Sequence, residues 1–481
     1  MANDFVEARL ESDAFSCESV QIHKLSGREA ISRLFAFDLE IVSTSSDEPA
    51  AADMAGAEVS IVLHRGGEER RKIHGMVAEV NEMFETEVAH RSYRLRVVPR
   101  AFRLTLVELQ DIYMDLSVPE IIRYKLELLG FTDDDFEFRL LESYPQLELV
   151  VQYKETDLAF ISRIAEHLGI SFFFEHQSGA DKIIFTDGHG FPLVSGREAI
   201  AFRGRGEARD IFSIEGRTTL IPKSYVLQDY NYRTPRLDLT AVCESVWGYG
   251  GGVVELGAHF KTPDDGARLA KIRAEEREAR RFVYTAKSEV CEIAAGNRFT
   301  LTEHARLEGT EFLVTEIEHS LVQPVLIHGG AEDAHYENTF QAIDAALAFR
   351  PPRITPKPKI HGVITGIVEQ EPDAAFGNYA RIDEQGRYTV KFLFDTAPPG
   401  QRKASRPIRM LQAHTGPDYG IHFPLKPGTE VLLTFIDGDP DRPLIVGAAP
   451  NPATPSPVTR SNSLENVIKT ASGILVTMKD D

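Results

Sequence analysis

Three aspartates at alternate positions, Asp437, Asp439 and Asp441, stand in the run Asp437-Gly438-Asp439-Pro440-Asp441-Arg442-Pro443. Carboxylates spaced this way open a calcium loop of the EF-hand kind, which also needs glycine at its sixth position and a bidentate glutamate at its twelfth. Those positions hold Arg442 and Ala448, so the EF-hand is excluded and only a weaker cation site stays open. Glu166, His167, Glu175 and His176 form a second group with metal or acid/base chemistry. Their spacing fits neither H-E-x-x-H nor a helical i, i+4 histidine pair, and they read as charged positions on a helix's outer face and in a turn. Gly248-Tyr249-Gly250-Gly251-Gly252 invites a phosphate cradle, but it lacks the Lys-Ser/Thr ending of a P-loop and the setting of a dinucleotide turn. A flexible loop is expected there. No G-x-S-x-G is present, and dispersed carboxylates leave a glycosidase pair open.

The composition narrows the field further. The 481 residues suffice for two to four domains, with 42% apolar residues to build their cores. No run approaches the roughly 20 apolar residues of a membrane span, and the N-terminus has no basic region followed by an apolar stretch, so it does not read as a secretory signal. The 53 Lys and Arg against 73 Asp and Glu leave a net charge of -20, which opposes a nucleic-acid role. Cys17, Cys243 and Cys291 lie far apart without a C-x-x-C pair, so buried thiols in a reducing compartment are expected.

The elements that must position these residues are mostly strands. Alternating runs cover Ser19 to His23, Leu34 to Val42, Val59 to Leu63 and Tyr93 to Val98, with a polar loop from Ser43 to Asp53. Ser117-Val118-Pro119-Glu120 is a capping box, followed by Val118, Ile121, Ile122, Leu126 and Leu129 on one face and a stop at Gly130. A second helix is expected after Thr156, with Asp157 complementing its dipole, a stripe of Phe160, Ile161, Ile164, Ala165 and Leu168, and Gly169 at its end. Ile170 to Glu175 and Lys182 to Thr186 read as a hairpin, and Asp264 to Arg281 as a solvated helix over a sheet. Strands are also expected from Ile211 to Leu227, Gly296 to Leu301 and Glu311 to His319. Phe349 to Pro358 is a proline-rich connector. Short strands at Gly362 to Val368, Arg387 to Asp395 and Pro407 to Leu411, with a pair flanking the aspartate loop, suit a small barrel. Pro440 and Pro443 fix φ and keep that loop out of the ladder. After a polar linker, Val467 to Thr470 and Gly473 to Met478 alternate, with apolar Ile474, Val476 and Met478 that a lone short strand cannot bury.

Several of these words, in this order, resemble the valine-glycine repeat protein G (VgrG) family, spikes of type VI secretion machines related to phage baseplate hub and tail-spike proteins. They are Leu25 to Phe35, Ile73-His74-Gly75-Met76-Val77, Val98 to Leu104 with Gln110-Asp111, Val151 to Asp157 and the following helix, Asp229 to Pro235, Tyr336 to Phe340, and Ile421 to Val431 with the aspartate loop and Ile445-Val446-Gly447. The resemblance implies a mainly β chain with a few helices. It divides into a hub platform of two barrel-like domains (1–350), a linker (351–358), an oligosaccharide/oligonucleotide-binding (OB) type barrel (359–450), and a linker leading into a trimeric β-prism (451–481). The motif positions it marks as structural are Tyr153, Glu155, Asp157, Phe160, Arg163, Glu166, Gly169, Pro424, Gly428, Glu430, Gly438, Asp439, Pro440, Asp441, Pro443 and Gly447. No catalytic, cofactor or metal residue is implied. It further implies a non-enzymatic homotrimer that meets a hexameric tube protein (haemolysin-coregulated protein), a PAAR-type tip protein, effectors, baseplate components and a target-cell envelope, with no nucleic acid. Such a protein is cytoplasmic on synthesis and in the baseplate, and leaves by sheath contraction without a signal peptide. The prism stops almost at once, as in a truncated or unusually short spike. A phage or extracellular-particle spike shares the expected fold, and a cell-wall hydrolase is the enzymatic alternative.

Overall fold

Alternation along the N-terminal strands turns every second side chain inward, and six such strands pair antiparallel in the order Val6–Glu11, Glu58–Arg65, Glu68–Met83, Arg91–Val98, Ala36–Ser43, Val20–Ala30. The computed structural model describes residues 5–43, 50–83, 91–176, 179–204, 209–325, 334–369, 380, 382–395 and 407–480. These fall into two compact units: Met1–Val107, Ile122–Tyr144 and Asp157–Thr355 in the first, and Glu108–Ile121, Pro145–Thr156 and Pro356–Asp481 in the second. The second unit thus takes in stretches that the sequence reading placed within the platform.

In the first unit the six-strand lobe continues into Glu311–Val322, His335–Asp344, Phe282–Ser288 and Ile211–Thr218, a twelve-stranded sheet completed by Ala199–Ala201 and Arg298–Thr302. Both lobes curl. In the N-terminal lobe, the Gln323 amide accepts from the Ala8 N–H at 2.9 Å and donates to its carbonyl at 3.0 Å, so a side chain satisfies the backbone of the outer strand. In the second lobe Phe202 bridges Ile211, Ala199–Ala201 pairs with Arg298–Thr302, and that strand returns to Glu311–Val322. Two barrel-like lobes therefore share one strand, each with its own core. Leu39, Ile61, Ile73 and Val97 lie in the first, and Ile200, Phe299, Val314 and Ile317 in the second.

The Pro263–Glu278 helix starts at Thr262, whose hydroxyl accepts from the Asp265 N–H at 3.2 Å. It packs Leu269, Ala270 and Ile272 on a sheet ordered Leu239–Glu244, Pro222–Asp229, Gly250–Leu256. The flexible loop expected at Gly248 to Gly252 is therefore corrected, because Gly250–Leu256 is a strand parallel to Pro222–Asp229. Gly248 is required for close approach: a Cβ there would sit 2.2 Å from the Lys223 Cα. Ala51–Met54 likewise forms a single helical turn where a loop was expected, since Met54 is fully buried; residues 44–49 of that loop lie outside the described residues. The Ser171–Glu175 and Lys182–Thr186 hairpin forms as expected, with residues 177–178 of its turn outside the described residues. Among the described residues no helix is long and apolar enough to cross a membrane.

In the second unit the capping box forms, with the Ser117 N–H donating to Glu120 at 2.7 Å and the Glu120 N–H to the Ser117 hydroxyl at 3.4 Å. The strands Val390–Phe392, Ile364–Val368, Glu430–Phe435 and Pro443–Ala448 lie side by side in that order. Tyr388 bridges Ile408 and Met410 bridges Ile445, which closes the sheet into a small barrel around Tyr388, Val390, Phe392, Val431, Leu433 and Ile445. The strand expected at Pro407 to Leu411 is reduced to these two bridges. The paired strands Glu108–Tyr113 and Val150–Thr156 add Ile112 to the same core. Beyond the barrel, Glu465–Lys469 and Leu475–Lys479 form an antiparallel hairpin.

Candidate functional site

Within the first unit, the marked positions gather on the Asp157–Leu168 helix. Asp157 opens it, and its carboxylate lies 2.8 Å from the Lys125 ammonium, both side chains almost fully buried. Lys125 also stands 6.0 Å from the centre of the Phe160 ring and Arg163 stands 5.1 Å from it, so one aromatic ring serves two cations. Glu166 is buried and accepts from the Ile354 N–H at 3.0 Å, the Thr355 N–H at 3.0 Å and the Thr355 hydroxyl at 2.7 Å. Gly169 ends the helix at φ +72°, and its carbonyl accepts from Arg350 at 3.3 Å. Arg350 also donates to Glu275 at 2.8 Å, while Arg353 forks onto Glu255 with both bonds at 2.8 Å. The helix end and its neighbours thus grip residues 350–355, the entry to the proline-rich connector.

This overturns the outer-face reading of Glu166, His167, Glu175 and His176. The helix buries polar as well as apolar positions, so period alone misplaces them. Arg273 donates to the His167 carbonyl at 3.0 Å and lies 3.1 Å from its Nδ1, and Glu175 accepts from Arg139 at 2.6 Å. His176 Nδ1 accepts from the His74 N–H at 3.1 Å, while Nε2 is sealed from solvent with no hydrogen-bond partner among the described residues.

Within the second unit, the aspartate loop grips the continuation of the connector from residue 357. Asp437 and Gly438 both take left-handed conformations (φ 56° and 74°), which turn the chain back between the strands Glu430–Phe435 and Pro443–Ala448. Asp439 and Asp441 both hold the Lys357 ammonium, at 2.6 and 2.7 Å. The other Asp441 oxygen accepts from the Val151 N–H at 2.7 Å, and the Gly438 carbonyl from the Ile360 N–H at 2.8 Å. Two of the three carboxylates singled out as cation ligands, Asp439 and Asp441, thus face a cation of the chain's own. Pro440 is buried and Pro443 pairs with Phe435. Tyr153 sets its ring edge-on to Phe394, 6.2 Å away, and Glu155 accepts from the Tyr153 N–H at 3.4 Å. Glu430 accepts from Asn451 at 2.9 Å, Gly428 turns at φ +80°, and Gly447 pairs with Leu432 where the register shifts. Pro424 precedes Leu425, whose N–H donates to the Tyr388 hydroxyl at 3.2 Å.

One buried cluster was missed by sequence reasoning. In the N-terminal lobe Glu29 accepts from Arg71 at 2.7 and 2.8 Å and lies 2.8 Å from His319 Nε2; His319 Nδ1 lies 2.8 Å from the Tyr336 hydroxyl, which accepts from Asn338 at 3.1 Å. Burial alone would raise the Glu29 carboxyl, but the Arg71 charge and the His319 contact hold it at about 2. Burial lowers His319 and pushes the Tyr336 hydroxyl up. The order Tyr–His–Glu has the look of a relay, but every member is buried and engaged, so it serves as a polar lock on three strands. These residues are far apart in sequence, and alternation gives no signal of their meeting.

The most solvent-exposed apolar element of the second unit is the terminal hairpin. Ile474, Leu475, Val476 and Met478 are each about half to two-thirds exposed, as is Ile468 across from them. An isolated two-stranded ribbon with uncovered apolar side chains has little independent stability in water.

Comparison with known proteins places these features in context. Residues 28–325 match the family model described as phage tail baseplate hub (GPD), and residues 376–449 match one described as a domain of unknown function (DUF6484). The chain is 31% identical over 452 residues to the type VI secretion system spike protein VgrG1c of Pseudomonas aeruginosa, covering 90% of this chain and 60% of that protein. It is 27% identical to the actin cross-linking toxin VgrG1 of Vibrio cholerae, over 94% of this chain and 42% of the toxin. The chain therefore spans about half the length of these relatives. Among solved structures, the E. coli c3393 protein, a type VI secretion component with similarity to the phage T4 tail proteins gp27 and gp5, superposes with a TM-score of 0.68 at 24% identity, covering 92% of this chain and all of that one.

Proposed function

Because this chain belongs to the phage tail baseplate hub family that includes the VgrG spike proteins, we propose that it is the homotrimeric, non-enzymatic hub and spike body of a type VI secretion machine. The observation that carries the trimer is the exposed apolar hairpin Glu465–Lys469 and Leu475–Lys479, whose side chains find cover when three copies wind together. In this reading residues 1–350 form the platform that caps a hexameric tube protein, 359–450 an OB-type barrel, and 451–481 the start of a β-prism that bears a PAAR-type tip. Effectors and baseplate components attach to this body, and sheath contraction drives it from the cytoplasm through a target envelope. The hydrogen bonds on residues 350–355 within the first unit, and those on residues 357–360 within the second, support a mechanical role. The toxin relative, more than half of which lies outside the match, supports a body to which effector domains are appended.

Light scattering across a dilution series tests the assembly. Three times the chain mass is expected, and a chain that stays single at all concentrations would refute a trimer built from these residues alone. The match to a phage family model supports a second reading, a phage or extracellular-particle spike, and neighbouring genes decide between the two. Peptidoglycan release by the purified chain, abolished by a single carboxylate substitution, would overturn the non-enzymatic assignment.

A further inference from the structure

Arginines of this chain commonly end on a carboxylate: Arg71 on Glu29 at 2.7 Å, Arg139 on Glu175 at 2.6 Å, Arg298 on Glu311 at 2.6 Å and Arg350 on Glu275 at 2.8 Å. With 73 acidic residues against 53 basic ones, carboxylates are in excess, so a guanidinium left without one is the exception. Four such guanidiniums occur in the first unit at the far end of the Pro263–Glu278 helix. Arg277 stands in its last turn, Arg280 and Arg281 lie just past its end, and Arg33 sits on the turn that follows the strand Val20–Ala30. Among the described residues none of the four makes a side-chain hydrogen bond or an ion pair.

Packing brings them together and holds them there. Ile31 shares a core cluster with Ala279 and Val283, which sets the turn bearing Arg33 against the helix end. That turn is pinned from two sides: the Ile31 N–H donates to the Thr315 carbonyl at 3.0 Å, and Ser32, at φ 62°, donates its N–H to the Phe172 carbonyl at 2.7 Å and accepts from the Phe172 N–H at 3.3 Å. Burial, and behind it the Arg277 and Arg33 charges, push the Arg280 guanidinium below its ordinary value against the pull of Glu276. Arg281 lies over the Trp247 ring, its Cζ 4.6 Å from the ring centre, a contact that orients the guanidinium without using its N–H donors. The nearest carboxylates are already engaged, because Glu278 accepts from the Ser245 hydroxyl and the buried Glu276 is shared between Arg273 and Arg280. A helix C-terminus attracts cations, which accounts for Arg277. It does not account for two arginines beyond the end and a third brought from another element.

We propose that Arg33, Arg277, Arg280 and Arg281 form a docking site for an acidic segment of a partner protein, whose carboxylates complete the pairs that this chain leaves open. Guanidinium forks suit carboxylates, and a site whose cations repel one another in the free chain gains most when an anion enters. Phosphate backbones offer the same charge, but a nucleic acid carries it at every step, about 1.7 Å apart along a duplex. Beyond a patch of four arginines it meets a body with a net charge of -20, whereas a short acidic segment ends where the patch does. A second copy of the chain has its longest acidic run among the described residues, Asp133-Asp134-Asp135, already committed to Arg123 and Arg100. The site lies within the first unit and does not depend on the trimer.

The probe is a fluorophore-labelled hexaglutamate peptide, titrated against the full chain at low salt and followed by fluorescence anisotropy. Saturable binding is expected, weakened roughly tenfold or more in Arg280→Glu and in Arg33→Glu, each checked for native circular dichroism, and unchanged in Arg306→Glu, a reversal on an exposed turn of the other lobe. Arg33 is exposed, so its variant keeps the fold and carries the test on its own if Arg280→Glu does not fold. No saturable binding, or a loss in Arg306→Glu equal to that in Arg33→Glu, overturns the proposal. A six-nucleotide DNA strand that binds more tightly than the peptide and is lost in the same two variants would make the site one for nucleic acid. Self-association of the chain that Arg33→Glu abolishes would make the occupant a second copy, and either result overturns the assignment to a partner protein.

Discussion

Replacing Glu166 with alanine should release the connector from the first unit. The carboxylate accepts three hydrogen bonds, from two successive backbone N–H groups and the Thr355 hydroxyl. A hydrogen bond to a charged group contributes about 1.5–3 kcal/mol, but three bonds on one carboxylate are not additive, and Ile354 is itself exposed enough for water to replace part of the loss. A local loss of about 3 kcal/mol is therefore expected, or roughly a hundredfold in the opening equilibrium. Global unfolding is a poor readout for a chain of two units. Native-state hydrogen exchange reads the opening directly, and the sequence helps: in Pro351-Pro352-Arg353-Ile354-Thr355-Pro356-Lys357-Pro358 only Arg353, Ile354, Thr355 and Lys357 carry an amide proton. A peptide covering this stretch should exchange its Ile354 and Thr355 protons about a hundredfold faster in Glu166→Ala, and by an intermediate factor in Glu166→Gln, which keeps an acceptor but loses the charge. Exchange unchanged to within about threefold would refute the grip, because it would mean that these amides already open without the carboxylate.

Three further outcomes follow from the same geometry. Burial, reinforced by the Arg71 charge, holds the His176 imidazole at about 3, against an ordinary value near 6.5. The unfolded chain then takes up a proton that the folded one refuses, so this contribution is fully present above pH 6.5 and is lost as pH falls toward 3, on the order of 5 kcal/mol in all. Glu29 adds a second loss between about pH 4.5 and 2, and His176→Phe should flatten the upper limb of first-unit stability against pH, read by hydrogen exchange of first-unit amides after correction for intrinsic rates, while leaving the lower one. Asp157→Asn removes the carboxylate charge 2.8 Å from the buried Lys125 ammonium and should destabilise the surrounding part of the first unit by about 3–5 kcal/mol, with Lys125→Met in the same chain recovering most of it, as read by native-state hydrogen exchange of the Asp157–Leu168 helix amides. Lys357→Met removes the ammonium that Asp439 and Asp441 both hold. It should cost about 1–3 kcal/mol, seen as faster exchange at the Val151 and Ile360 amides, and unchanged exchange there would show that the loop holds its shape without the lysine.

What could be read from the sequence is what is local. Ser117 and Glu120 stand three residues apart, and the capping box they form needs nothing else from the chain. The turn at Asp437 and Gly438 is local for the same reason: its strands are adjacent, and its prolines forbid the alternatives. Glu166 shows where such reading ends. Its partners are 188 and 189 residues away, and a glutamate on a helix with an apolar stripe belongs outside on every short-range argument. Yet the connector has few N–H groups to satisfy and no strand to satisfy them, so a buried acceptor had to come from elsewhere in the chain. The same accounting applies to Ala8, whose edge-strand backbone is completed by the side chain of Gln323, 315 residues later. Both cases point to the question that alternation never asks, which is where each polar backbone group finds its partner.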